Sequence, residues 1–204
     1  MVTIRILLAD DQHLVRAGLA ALLNLEDDLH VVAQLPDGTG VVEAIREHTI
    51  DVAVLDIEMP EVDGITATGQ ITQFYGDDVA ILILTTFGRA GYLQRAMAAG
   101  ARGFMVKDAP AEQLAEAIRT VHAGGSAVDP VLAAEALSAG ANPLTDRERD
   151  VLREALAGSS VKHIAARLHL SAGTVRNHLS AAIGKTQTTN RTEAARVAQQ
   201  NGWL

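Results

Sequence analysis

The sequence predicts an α/β domain, a five-stranded doubly wound parallel sheet, followed by a small all-α domain. Three observations carry that prediction. Val52–Leu55 is four apolar residues in a row, the pattern of a strand covered on both faces, and Asp56 follows where such a strand runs out. Strand-like and helix-like segments alternate five times over about the first 120 residues. From Leu144 onward only short helical patterns occur. In open α/β sheets ligands bind outside the carboxyl ends of the strands, so a carboxylate at that rim is a candidate for chemistry. Taken alone, Asp56 reads more readily as a turn or helix-capping aspartate. The residues that gather at the same rim change that balance.

Composition narrows the class. At 204 residues and 48% hydrophobic the chain can bury a proper core, as one large domain or two small ones. It has no cysteine, which excludes a disulfide scaffold and thiolate metal sites and fits a reducing compartment. The run Met1–Leu8 is too short for a signal peptide, and nothing approaches the ~20 apolar residues of a membrane span. The expectation is a soluble, cytoplasmic protein with no direct membrane association. Its net charge of −8 hides an asymmetry: residues 1–142 carry 8 Lys+Arg against 20 Asp+Glu, residues 143–204 carry 9 against 5. A basic C-terminal module on an acidic protein suggests an anionic partner for that module, although a solvated surface would look the same.

In order, Ile4–Ala9 reads as a buried strand ending at Asp10-Asp11. A helix follows over His13–Leu25, with Leu14, Ala17, Gly18, Ala21, Leu22 and Leu25 at amphipathic spacing. His30–Leu35 is the second strand, and Pro36-Asp37-Gly38 a turn. Val41, Val42, Ala44 and Ile45 mark a helix that stops before Asp51. After the strand carrying Asp56, Pro60 and Gly64 turn the chain into a helix to about Phe74. Val79–Thr85 is the fourth strand and Ala90–Ala98 a short helix closed by Gly100. Arg102–Val106 is the fifth strand, then Lys107 and a helix over Ala111–Ala123. Right-handed crossovers with both faces covered imply a flavodoxin-like sheet, with strand order left open.

Residues 1–123 thus form the first domain and 124–142 a linker, opened by Gly124-Gly125-Ser126 and holding a short helix over Pro130–Leu137. Residues 143–204 form the second domain. There Thr145-Asp-Arg-Glu148 is a capping box for a helix running to about Ala157, stopped by Gly158. Val161–Leu168 is a short helix with Ile164, Ala165 and Leu168 inward. His169-Leu170 turns the chain, and Ser171 caps a helix over Ala172–Gly184. A last helix spans Thr192–Gln200. Two short helices joined by a tight turn are the helix-turn-helix pattern.

Five polar residues fall where strands end: Asp10, Asp11, Asp56, Thr85 and Lys107. Two carboxylates ~4 Å apart repel by about 4 kcal/mol at an effective dielectric of ~20, which a hard divalent cation relieves. Oxygen ligands with a partial hydration shell suit Mg²⁺. A bound cation would screen a phosphoryl group and leave Asp56 as a carboxylate nucleophile. Lys107 would supply a point charge and Thr85 a hydroxyl.

These five residues, with Asp56-Ile-Glu-Met-Pro60, resemble the receiver domain of two-component response regulators over residues 4–123. The resemblance implies that Asp56 is the phospho-acceptor for a sensor histidine kinase. It also implies that Asp10, Asp11, Asp56 and the Glu58 backbone carbonyl hold Mg²⁺, and that Thr85 and Lys107 coordinate the phosphoryl group. Phe104 falls at the aromatic switch position that turns inward when the threonine moves; without the family it is an ordinary core aromatic. The C-terminal markers are Leu144-Thr145-Asp-Arg-Glu148, Gly158, Ile164-Ala165, Ser171-Ala-Gly-Thr174-Val-Arg176-Asn177-His178, Lys185 and Asn190-Arg-Thr-Glu193-Ala194. They resemble the LuxR-type helix-turn-helix, and together the two halves resemble the NarL/FixJ class. Within it, Leu23–Asp28, Leu84–Phe87, Gly91-Tyr92 and Ala141–Thr145 are similar to the DesR-like subgroup. Thr186-Gln187-Thr188 departs from the Leu-x-Val usual after Lys185, and Gly184 from a helix former. Both departures predict a looser end to the third helix of this domain.

On that helix residues 173, 176, 177 and 180 share an exposed side, with Val175 and Leu179 inward. Arg176 can pair with guanine and Asn177 with adenine, and Ser180 is adaptable. Thr174, His178, Lys162 and Lys185 are candidate phosphate contacts. The expected function is promoter binding and transcription control, enabled when phosphorylation shifts the receiver towards a homodimer by moving the 85–92 loop. RNA polymerase is a further partner. A metal-dependent phosphatase is the enzymatic rival, but position 58, where it needs an aspartate, is Glu58; slow self-dephosphorylation is the expected limit of turnover. The other rival is a receiver that dimerises without phosphate.

Overall fold

A computed structural model describes residues 3–86, 90–139 and 142–204. It divides into two compact units, residues 1–88 with 93–134 and residues 89–92 with 135–204.

The first unit alternates β1 (Ile4–Ala9), α1 (His13–Leu23), β2 (Leu29–Leu35), α2 (Val41–His48), β3 (Val52–Asp56), α3 (Gly64–Tyr75), β4 (Ala80–Thr85), α4 (Ala90–Ala99, from Leu93 on), β5 (Gly103–Val106) and α5 (Ala111–His122). The strands form one parallel sheet in the order β2-β1-β3-β4-β5-β6, which settles the order that composition left open. The sixth strand, β6 (Ala127–Val128), comes from the glycine-flanked stretch after α5 and pairs with Gly103 and Phe104. Two residues are too few to show a periodicity, so the sequence reads there only as linker.

One sheet face is built from Ile4, Ile6, Leu8, Val52, Val54, Leu82 and Leu84, packed with Leu114, Ile118 and Val121 of α5. The intervening Leu7, Ala53, Leu55, Ile81 and Ile83 are buried as well, so both faces are covered. Each such side chain contributes roughly 1.5–3 kcal/mol by leaving water.

Helix α1 departs from expectation. Of the stripe picked out by spacing, Leu14 is 84% and Leu25 78% exposed, while Ala20 and Leu23 are buried. The helix is apolar nearly all round, so its periodicity has two solutions, and the core takes the face of Leu19, Ala20 and Leu23.

The second unit holds α6 (Pro130–Ala139) in part, α7 (Asp146–Leu156), α8 (Val161–Arg167), α9 (Ala172–Lys185) and α10 (Arg191–Gln200). The last four surround a core of Val151, Leu152, Ile164, Val175, Leu179, Ala194, Ala198 and Trp203. A small core leaves helix ends to be satisfied locally. The side chains of Thr145, Ser160, Ser171 and Asn190 cap the four N-termini, with a complete capping box at Thr145 and Glu148.

The four C-termini close with paired bonds from the two residues beyond the cap, as in Ser159 N–H to Glu154 and Leu170 N–H to Ala165. The residue turned left-handed is Gly158, His169, Gln187 or Gly202, with φ of 79°, 55°, 54° and 65°. His169 makes the turn between the two helices of the motif. At the end of α9, the departure Thr186-Gln187-Thr188 is closed in the same way: Thr188 N–H bonds to Ile183, and the Thr186 hydroxyl to the Ala182 carbonyl at 2.8 Å. The end read as looser is a complete helix stop.

Candidate functional site

The parallel sheet brings the sequence-predicted residues to one edge because all its strands point the same way. Asp10 directly follows β1, Asp56 ends β3, Thr85 ends β4 and Lys107 directly follows β5. Asp10, Asp56 and Thr85 are buried, and Asp11 is exposed. The Lys107 ammonium donates to Asp10 Oδ2 at 2.7 Å and to Asp56 Oδ2 at 2.8 Å. Asp10 Oδ1 accepts the Gln12 N–H at 2.9 Å. Asp56 Oδ1 is buried with no hydrogen-bond partner among the described residues. Carboxylate oxygens of Asp10, Asp11 and Asp56 lie within 4.8 Å of one another.

One ammonium among three carboxylates leaves the rim under-compensated. Burial pushes the Asp56 carboxyl above its ordinary value, against the pull of the Lys107 hydrogen bond. Burial alone would depress Lys107, but its bonds to Asp10 and Asp56 outweigh that and hold it charged, with a raised pKa. The donor set fits Mg²⁺: hard oxygens at close range, one of them an orphaned buried acceptor. Glu58, whose carbonyl the sequence reading adds, lies on the loop just after β3, its side chain exposed. Phe104 is fully buried, paired in register with Ile83 of β4. Of the 85–92 loop, residues 87–89 lie outside the described residues.

Two contributions escape sequence reasoning. The Arg16 guanidinium, one turn into α1, donates to the backbone carbonyl of Asp10. Gly64 packs so tightly that a Cβ there would lie 2.0 Å from the Asp56 carbonyl oxygen. Gly38 likewise abuts Val62, to whose carbonyl its N–H donates at 3.0 Å. The loop between β3 and α3 is therefore held at both ends by residues that lack a side chain.

In the second unit the Ser171 cap accepts the Thr174 N–H at 3.0 Å. Arg176, Asn177 and Ser180 are exposed on one side of α9, opposite the buried Val175 and Leu179. Lys162 is exposed on α8, and His178 and Thr174 are half-buried. The Thr174 hydroxyl pairs with that of Ser171 at 2.8 Å. Lys185 is exposed too, but its ammonium lies 2.7 Å from Oε2 of the buried Glu148.

An acid-rich strand-end site and a capped helix-turn-helix define the class, and comparison with known families agrees. Residues 6–119 match the response regulator receiver domain, and residues 142–198 the bacterial regulatory proteins of the luxR family. The chain belongs to the response regulators that join these two domains, which are DNA-binding transcriptional regulators and not turnover enzymes. It is 42% identical to the transcriptional regulatory protein DesR of Bacillus subtilis, over 98% of this chain and 99% of that one. It is 35% identical to UhpA of Escherichia coli, over 98% of this chain and all of that one. The crystal structure of the response regulator ChrA, from a heme-sensing two-component system, matches over both full chains with 35% identity and a TM-score of 0.60. The RcsB–DNA complex shares the fold, at 22% identity and a TM-score of 0.67 over 97% of this chain and 98% of that one. No helix among the described residues is long and apolar enough to cross a membrane.

Proposed function

We propose that this regulator is switched by phosphorylation of Asp56. The observation that carries the reading is the half-satisfied Asp56 carboxylate: Oδ2 rests on Lys107 while Oδ1 is buried and unpartnered beside Asp10 and Asp11. Asp10, Asp11, Asp56 and the Glu58 carbonyl would hold Mg²⁺, which when bound neutralises the crowded carboxylates and screens phosphoryl oxygens. A carboxylate oxygen of Asp56 attacks the phosphorus of a phosphohistidine on a sensor kinase. The O–P bond forms, the N–P bond breaks, and the imidazole leaves with its electron pair and takes up a proton. Lys107, released from Asp10, pairs with a phosphoryl oxygen, and the Thr85 hydroxyl bonds another.

Binding the phosphoryl group better in one receiver conformer than in another shifts the population towards that conformer. In this reading the favoured conformer is a homodimer, acting in the cytoplasm. It sets two copies of α9 on adjacent half-sites of a promoter, where RNA polymerase is the further partner. Arg176 reads guanine, Asn177 adenine and Ser180 a neighbouring edge, while Lys162, Thr174 and His178 meet phosphates. Incubation with acetyl phosphate and Mg²⁺ should add one phosphoryl mass at Asp56 and increase both oligomer size and promoter affinity. An Asp56→Ala protein that dimerised and bound DNA like the phosphorylated wild type would overturn the reading.

A further inference from the structure

Glu148 is a buried acid in a DNA-binding unit that otherwise buries apolar side chains. Its Oε2 accepts the Thr145 N–H at 2.7 Å and the Lys185 ammonium at 2.7 Å, so one atom serves both the start of α7 and the end of α9, 37 residues apart. Each charge also sits where its helix dipole favours it, negative in the first turn of α7 and positive in the last turn of α9. Directly after Lys185, Thr186, Gln187 and Thr188 offer no apolar anchor. Thr186 turns its hydroxyl onto α9's own carbonyls of Ala182 and Ile183, and Thr188 pairs with Thr186 at 2.9 Å. The far end of α9, whose Ala182 and Ile183 already reach the core, is thus also tied to α7 by a charged pair.

We propose that the Glu148–Lys185 pair is a positioning element that fixes the pose of α9 for base reading, with Lys185 acting through Glu148 and not on a DNA phosphate. The inference rests on reading α9 as the recognition helix. Arg176 lies nine residues before Lys185, a lever of ~13 Å at 1.5 Å per residue. A swing of roughly 10° over that lever moves Arg176 by about 2 Å, enough to break a bidentate bond to a base. Contacts to the phosphate backbone tolerate such a shift better, since they carry no sequence information.

The test uses the full chain and two duplexes, one selected by the wild-type protein from a random-sequence pool and one shuffled from it. Glu148→Gln removes the ion pair and keeps the capping acceptor, because glutamine also closes a capping box. Lys185→Met removes the other partner, and the double variant leaves no buried lone charge. Each single variant should lower the selected-to-shuffled affinity ratio about tenfold, the size of one lost base contact, and the double variant no further. The salt dependence of binding to the shuffled duplex should stay at the wild-type slope.

A slope reduced by about one in Lys185→Met would make Lys185 a phosphate contact and overturn the proposal. So would wild-type ratios in all three variants. Loss of the native Trp203 fluorescence in all three would make the pair a folding requirement and likewise overturn it. Arg176→Ala separates the layers: if it keeps the wild-type ratio, the reading of α9 itself has failed, whatever the pair does.

Discussion

Each unit contains a lysine set against carboxylates, and the two sets are satisfied to different degrees. In the second unit Glu148 has Lys185 and the Thr145 N–H, and Lys185 has Glu148. In the receiver one lysine serves Asp10 and Asp56 with Asp11 beside them, and one buried oxygen of Asp56 is left over. A completed pair, even one half-exposed like this, holds helices together. An incomplete one leaves an acceptor unused, and its surplus negative charge suits a cation. On the proposed readings the receiver set would be chemical and the other architectural.

The sharpest way to break this contrast is Asp56→Asn, which should abolish phosphorylation by acetyl phosphate entirely, as read by intact mass. Next is Lys107→Met, which leaves two buried carboxylates without a counter-charge and should cost about 3–5 kcal/mol of receiver stability. Mg²⁺ should restore most of that loss in a thermal melt. Lys185→Met should cost only about 1 kcal/mol, because that lysine is more than one-third exposed and partly screened, and Mg²⁺ should restore nothing. Equal costs or equal rescue would erase the distinction.

The same contrast should appear in pH. Glu148 is pulled below its ordinary value of 4.5: burial pushes up, but the Lys185 bond and the two Thr145 bonds outweigh it. Its stabilisation is fully present above 4.5 and is lost as pH falls through the lowered value. Asp56, raised by burial, has the opposite sign: its contribution falls as pH rises from 3.8 through the raised value. Trp203, the single tryptophan, reports the second unit. Its acid unfolding should be shallower in Glu148→Gln, and the receiver's stability between those pH values should fall less steeply in Asp56→Asn. The smallest effects belong to His169→Gly and Gln187→Gly. Each relieves a left-handed non-glycine residue at a helix end and should stabilise by about 0.5–1 kcal/mol in denaturant melts.

Most of the element order was legible because short unbroken apolar runs alternate with longer segments of helical period, and the rim residues were legible because parallel strands share an end. Three things were not. Helix α1 satisfies two helical stripes, and only the sheet chooses between them. Strand β6 is too short to carry a pattern. The Glu148–Lys185 pair was hidden because Glu148 already had a role as a capping residue and Lys185 one as a candidate phosphate contact. A signal was present: Glu148, Val151, Leu152 and Ala155 are all buried on one stripe of α7. A carboxylate on an apolar stripe demands a cation, and the late helices supply few.

The two side-chain-free contacts around the β3–α3 loop have a mechanical consequence. With Gly64 pressed on the Asp56 carbonyl and Gly38 on Val62, that wall of the cleft has no room to retreat. Under the proposed phosphorylation of Asp56, the added group would meet this close-packed wall on one side, leaving the end of β4 at Thr85 as the side to yield. On that reading the packing of two glycines would set which side of the cleft responds.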